Sequence, residues 1–189
     1  MAVIPIYNCF HPVLRAKTEQ VKEFDQNLSN LIGNMYDTMY NVGNGVGLAG
    51  NQVGESKSVI IIDTSVGGDN PRTKPLTLIN PEVTYFSDEL DEDFEGCLSI
   101  PDISEKVVRS KSLQLKYYDL NMKEYNQEFD GFLARVIQHE MDHLNGLLIF
   151  DRISAIKRTL LKSKMRRLQK GEIIPKYPMI QADGELTNG

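Results

Sequence analysis

From Val21 onward the apolar side chains Phe24, Leu28, Leu31, Ile32, Met35 and Met39 return every three or four positions, which gathers them on one face of a helix. The spacing predicts a helix over 19–41. It has to stop at Asn41-Val42-Gly43-Asn44-Gly45, where glycine and asparagine favour a left-handed backbone that a helix cannot continue through. A glycine-rich loop follows. Further on, 58–63 and 76–80 are short β-branched or apolar runs bounded by Gly67-Gly68-Asp69-Asn70-Pro71 and by Pro81, and both read as strands. The acidic stretch 87–95 reads as a solvated loop. Alternation takes over at Leu113, Leu115 and Tyr117, turn residues occupy 119–121 and a second run spans 124–129, which together predict a hairpin.

Helical spacing returns over 132–144, through Phe132, Val136, Ile137 and Leu144, with no glycine or proline inside and Asn145-Gly146 as a stop. A last helix begins at Ser154, a good N-cap, and runs through Ile156, Leu160 and Leu168 to Lys170. The tail 171–189, with Pro175, Pro178, Gly184 and Gly189, reads as irregular. No repeat is visible, and no linker separates comparable halves. Helices and at least four strands therefore belong to one α+β domain over 1–170.

Composition fits that reading, since 189 residues with 41% hydrophobic content can bury one sizeable core. A net charge of −5 provides no global basic field for nucleic acid. Two cysteines, Cys9 and Cys97, are too few for a disulfide framework and point to a reducing compartment. The first residues lack the pattern of a signal or transit peptide, so the expected location is the cytoplasm. The longest apolar run, Val59-Ile60-Ile61-Ile62, falls far short of the roughly 20 residues that cross a bilayer, so no membrane partner is expected.

The helix over 132–144 carries His139-Glu140-Met141-Asp142-His143. Residues four apart on a helix lie one above the other, so His139 and His143 can bind one metal ion through their imidazoles. Glu140 can then reach a water on that ion as general acid/base, as in a metal-dependent hydrolase. The bland alternative is two exposed histidines on a polar face. A catalytic two-histidine site needs a third protein ligand and an open position. Cys97 stands out, because Glu95-Gly96-Cys97-Leu98-Ser99 sets a thiol after a glycine, and a thiolate suits zinc or iron(II). Taken alone it would be an inert buried side chain. Cys9 and His11 lack such a context and read as structural or surface residues.

Gly45-Val46-Gly47-Leu48-Ala49-Gly50 matches G-x-G-x-x-G, but that fingerprint needs a strand before it and a helix after it. Here the order is reversed, which argues against a free nucleotide. The glycines instead let a substrate backbone come close, and Gln52 beyond them offers a neutral amide donor unless it is a plain solvated loop residue.

In this order and spacing, Gly45-Val46-Gly47-Leu48-Ala49-Gly50-Asn51-Gln52, Glu95-Gly96-Cys97-Leu98-Ser99 and Gln138-His139-Glu140-Met141-Asp142-His143 resemble the peptide deformylase family. The resemblance runs from Asn8-Cys9-Phe10-His11-Pro12-Val13-Leu14-Arg15 to the last helix. It departs at Gly50-Asn51, where the family commonly has alanine and proline, a change expected to affect loop stiffness and to spare the catalytic residues. The resemblance implies a small α+β fold with antiparallel strands packed around a central metal-binding helix. It implies removal of the formyl group from the N-terminal formylmethionine of newly synthesised proteins, with release of formate. The implied ion is natively iron(II), with zinc, nickel or cobalt as substitutes, held by Cys97, His139 and His143. Water activated by Glu140 would attack the formyl carbon, with the metal, Gln52 and the Leu98 backbone N–H meeting the oxyanion.

A peptide substrate would dock as an added strand along Val46 and Gly47. Val46, Phe132 and Val136 would line a methionine-sized pocket, unless they are ordinary core residues. Arg109, Asp142 and Glu95 are candidates for pairs that hold the ligands, with the pairing left open. Two rivals stand beside this reading: a zinc endopeptidase, which also uses H-E-x-x-H, and a catalytically dead binding protein. The last helix and its approach carry Arg152, Lys157, Arg158, Lys162, Lys164, Arg166, Arg167 and Lys170. These form a solvated face or, as the resemblance suggests, a surface that docks on the ribosome to meet nascent chains.

Overall fold

The computed structural model describes residues 2–67 and 74–188, so most of the expected turn Gly67-Gly68-Asp69-Asn70-Pro71, and Gly189 of the tail, lie outside the described residues. In chain order the elements are β1 (Ile6–Tyr7), α1 (Gln26–Val42), β2 (Gly47–Ala49), β3 (Val59–Ile62), β4 (Leu76–Phe86), β5 (Leu90–Cys97), β6 (Ile100–Ser110) and β7 (Ser112–Tyr118). After them come β8 (Glu124–Asp130), α2 (Gly131–Leu144), α3 (Ile149–Arg152), α4 (Ala155–Gln169), β9 (Met179–Ile180) and β10 (Leu186–Thr187). No helix among the described residues is long and apolar enough to cross a membrane.

The central sheet is antiparallel throughout, in the order β2-β3-β4-β7-β8. Its strand β3 explains the layering. Val59 and Ile61 pack with Leu28, Ile32, Met35 and Met39 of α1, whereas Ile60 and Ile62 pack with Ala134, Val136 and Ile137 of α2. A strand sends successive side chains to opposite faces, so an unbroken apolar run is what a sheet between two helices requires. A third cluster joins Ile100, Ile103 and Val107 of β6 to Leu14, Leu148, Phe150 and Leu168. The result is a single α+β domain with α2 at its centre.

The first helix is shorter than the apolar spacing predicts. Asp25 caps it, its Oδ1 accepting from Leu28 N at 2.9 Å, and Gly43 ends it with φ 87°. Residues 19–25 stay extended because their backbone is engaged elsewhere: Glu19 bridges Lys57, and Val21 N donates to Asn80 Oδ1 at 2.7 Å. The acidic stretch is also not a loop. Most of its side chains are exposed, but from Leu90 its backbone pairs with β6 in a long hairpin whose buried residue on β5 is Glu95.

The tail is more regular than its prolines and glycines suggest. β9 pairs in parallel with β1 and antiparallel with β10, and Met179 is fully buried in the α1 cluster. Two-residue strands have no detectable period, and their partner lies at the other end of the chain. Met179→Ala should therefore lower the unfolding free energy by about 2–5 kcal/mol, the range for emptying a packed methionine site. Urea denaturation measures this, and an unchanged midpoint would show that the tail does not contribute to the core.

Candidate metal centre

α2 is buried along nearly its whole length, from Ala134 to Glu140 and again from Asp142 to Leu144. Its i, i+4 spacing stacks His139 and His143 with ring centroids 5.0 Å apart. The bland reading of two exposed histidines on a polar face therefore fails. Cys97, at the end of β5, comes to the same point: its Sγ lies 3.2 Å from His143 Nε2, and one ligand atom from each of the three residues lies within 4.8 Å of the others. One thiol and two imidazoles in that space suit zinc or iron(II).

The hairpin and the helix are held together by a ladder of buried charge. Glu95 accepts from Arg109 Nε at 3.0 Å and Nη2 at 2.9 Å, and from Arg135 Nη1 at 2.8 Å. Its Oε2 also lies 3.0 Å from His139 Nδ1. With Nδ1–H directed at Glu95, His139 keeps Nε2 free as a ligand atom. The ladder continues as Arg109 Nη1 donates to Asp142 Oδ2 at 2.6 Å and Arg152 Nε donates to the same oxygen at 2.9 Å. Burial works against the Glu95 charge, but His139 and Arg109 outweigh it and hold the carboxyl down at about 2. Burial also opposes a charge on His139, yet Cys97 and Glu95 raise its pKa well above the usual value. Burial and the neighbouring His139 keep His143 neutral.

Glu140 has no comparable partner. Its Oε2 is buried and makes no hydrogen bond among the described residues, and burial pushes the carboxyl up to about 7. It sits against β2 so closely that a Cβ on Gly47 would come within 2.6 Å of Glu140 Oε1 and 3.0 Å of Val136 Cγ1. A glycine is therefore needed at 47. Gln52 is buried rather than solvated. Its Oε1 accepts from Ala49 N at 2.8 Å, which turns Nε2 toward Ser99 Oγ at 3.2 Å and Cys97 Sγ at 3.7 Å. Among the described residues the Leu98 N–H makes no hydrogen bond to another backbone group.

Val46 and Val136 share one apolar cluster beside Gly47, while Phe132 is 54% exposed on the first turn of α2. His11 caps a short turn, its Nδ1 accepting from Val13 N, and Cys9 is buried in the third cluster. Arg135 and Tyr177 lie in no motif, and Ser99 and Asn51 lie in the quoted blocks without an assigned role, although each of the four hydrogen-bonds a residue of the site. A cavity of about 700 Å³ is lined in part by Gln138, Met141 and Asn145 and does not include Cys97, His139 or His143 in its lining.

An α+β domain whose buried helix sets H-E-x-x-H against a strand-borne cysteine has the arrangement of a hydrolase whose site could hold one metal ion. The polypeptide deformylase family model matches residues 3–159. A peptide deformylase of Salinibacter ruber is 37% identical over 192 residues, covering 98% of each chain. One from Thermotoga maritima is 44% identical over 154 residues, covering 82% of this chain and 89% of that one. The crystal structure of peptide deformylase from Thermotoga maritima matches with a TM-score of 0.74 and 41% identity, over 80% of this chain and 98% of that one. A plant peptide deformylase structure matches with a TM-score of 0.83 and 33% identity, over 89% and 90%. The chain belongs to the polypeptide deformylase family, metal-dependent amide hydrolases that remove the formyl group from newly made polypeptides.

The charge ladder has a consequence in acid. A carboxyl lowered from 4.5 to about 2 contributes stability that is complete above 4.5 and is lost as pH falls toward 2. In metal-free protein the difference in unfolding free energy between wild type and Glu95→Gln should shrink over that window by on the order of 3 kcal/mol. Chemical denaturation across the pH series tests it, and a constant difference would disprove it.

Proposed function

We propose that this chain deformylates the N-terminal formylmethionine of nascent proteins in the cytoplasm through one ion held by Cys97, His139 and His143, with iron(II) native and zinc, nickel or cobalt as substitutes. The observation that carries this reading is the meeting of these three side chains beside the unpartnered Glu140 carboxyl and the Gln52 amide. When bound, the ion supplies Lewis-acid chemistry that brings the pKa of a water toward neutrality.

Glu140 takes the proton of the attacking water at its unpartnered Oε2, and its raised pKa lets it hold that proton near neutral pH. The water oxygen adds to the formyl carbon. Gln52 Nε2 and the Leu98 N–H donate to the oxyanion; both are neutral donors and cannot compete with Glu140 for the proton. As the C–N bond breaks, Glu140 passes its proton to the leaving amine and formate departs. The peptide lies along β2, the outer strand of the central sheet, where Gly47 leaves its backbone open to main-chain pairing. Val46 and Val136 line the methionine pocket, with Phe132 at its rim.

Metal-loaded protein should release formate from formyl-Met-Ala and leave casein uncut. Glu140→Ala should lose about 10²–10⁴-fold in turnover while retaining the ion, because only the proton carrier is removed. Casein cleavage without formate release would favour the endopeptidase, and full activity in Glu140→Ala would remove Glu140 from the mechanism.

We also propose that α4 docks on the ribosome through one face. Several of the basic side chains are used within the protein: Arg152 on Asp142, Lys157 on Glu92, and Arg167 and Lys170 on Glu172. Arg158, Lys162 and Arg166, each four residues apart, form no ion pair among the described residues, and Leu160 stands exposed on the same helix. Reversing these three charges to glutamate should abolish salt-sensitive co-sedimentation with ribosomes and leave formate release from a small peptide intact. Unaltered co-sedimentation would refute the docking face.

A further inference from the structure

The turn joining β5 to β6 is anchored by both ends of the chain. Leu98 and Ser99 form this turn, closed by the pair Cys97 and Ile100. Three of its polar groups have partners outside the hairpin. The Ser99 carbonyl accepts from Cys9 N at 2.9 Å, Ser99 Oγ accepts from Gln52 Nε2 at 3.2 Å, and the Leu98 carbonyl accepts from Tyr177 Oη at 2.6 Å.

Tyr177 lies beyond residue 159, where the match to the family model ends. The segment that delivers it is firmly held. Ile173 and Met179 on either side are buried, and Asn8 N donates to Ile180 O at 2.8 Å. The Asn8 side chain donates to Gln181 Oε1 at 3.0 Å and Leu168 O at 3.3 Å. The same short N-terminal stretch therefore fixes the tail on one side and Ser99 on the other. The Tyr177 hydroxyl has a defined place from which to act.

The Tyr177 bond restrains ψ of Leu98 and anchors the outer peptide of the turn, while the Leu98 N–H belongs to the preceding Cys97–Leu98 peptide, next to the closing pair Cys97 and Ile100. The Leu98 side chain is restrained as well, since it packs against the apolar cluster that contains Met35 and Met39. With the closing pair on one side, the Tyr177 bond on the other and the side chain packed, the Leu98 Cα that joins the two peptides is held in place, and the position of its N–H is held with it. An oxyanion donor works only if it already points at the place where charge will appear.

We propose that Tyr177 is a positioning residue for deformylation, its hydroxyl anchoring the β5–β6 turn through the Leu98 carbonyl so that the Leu98 N–H carried by that turn is kept in place for the oxyanion. The inference rests on the assignment of Leu98 as an oxyanion donor. It also makes the tail after α4 part of the catalytic unit rather than an appendage.

Tyr177→Phe tests this, because phenylalanine keeps the ring in its packing and removes only the donor. On metal-loaded protein, kcat for formyl-Met-Ala should fall about tenfold with KM within about twofold, as expected when a group that acts only in the transition state is misaligned. In the zinc-loaded protein, backbone ¹⁵N order parameters at Leu98 and Ser99 should fall, while those of α2 and the thermal midpoint hold. An unchanged kcat, or a loss of kcat matched by a general loss of order and stability, would overturn the proposal. Wild type assayed beside the variant separates the two readings. If wild type releases no formate, the deformylase reading itself has failed.

Discussion

The centre of this molecule depends on one buried carboxylate. Glu95 belongs to β5, and its two oxygens receive Arg109 from β6 together with Arg135 and His139 from α2. A charge left unpaired in the interior costs several kcal/mol, so the set is favourable only when every member is present. That condition fixes the hairpin on the helix in one arrangement. Cys97 lies two residues beyond Glu95, and His139 is itself one of the partners. The distance between the thiol and the imidazoles is therefore set by the same contacts that dock the hairpin. Net stabilisation from such a network is modest, because desolvation offsets most of the attraction, and its greater effect is geometric.

A second constraint comes from the other face of α2. The helix lies so close to β2 that neither Glu140 nor Val136 leaves room for a Cβ at position 47. Close approach excludes water from the Glu140 carboxyl, and the lack of solvation raises its pKa toward neutrality. The absence of one side chain on the strand thus shapes the acid–base behaviour of the helix beside it. Glu95 and Glu140 show the two possible outcomes for a buried carboxyl. The one hydrogen-bonded to cations is held ionised, and the one whose burial outweighs the attraction of His139 and Arg109 is pushed up toward neutrality.

Much of this was legible in the sequence, for identifiable reasons. α2 and the hairpin of β7 and β8 carry long, strict periods, and their predicted bounds differ from the observed ones by a residue or two. The histidines could be paired from helical geometry alone, and Cys97 stood out as a candidate third ligand by its glycine context; the fold brings the three side chains together. The start of α1 was misjudged because apolar spacing continues into residues 19–25, whose backbone pairs with Lys57 and Asn80 instead. β5 was hidden by its own charge: an exposed strand rich in aspartate and glutamate has the composition of a loop. Arg135 and Tyr177 could not be found, since their importance lies in partners 40 and 79 residues away.

The Gly50-Asn51 pair shows how a departure from a family pattern can be read only in three dimensions. From sequence, losing proline suggests a looser loop, because proline restricts the unfolded chain. In the fold, a Cβ at Gly50 would come within 2.5 Å of the Lys57 carbonyl, so at this spacing alanine does not fit. Asn51 is buried and donates through Nδ2 to the His143 carbonyl at 2.6 Å. The loop that carries Gln52 is thereby tied to the end of α2 that carries His143. Where proline would stiffen the loop by limiting its own backbone, asparagine stiffens it by attachment to the helix. The proposed oxyanion donor and one proposed ligand therefore share a mechanical link that neither residue's own motif reveals.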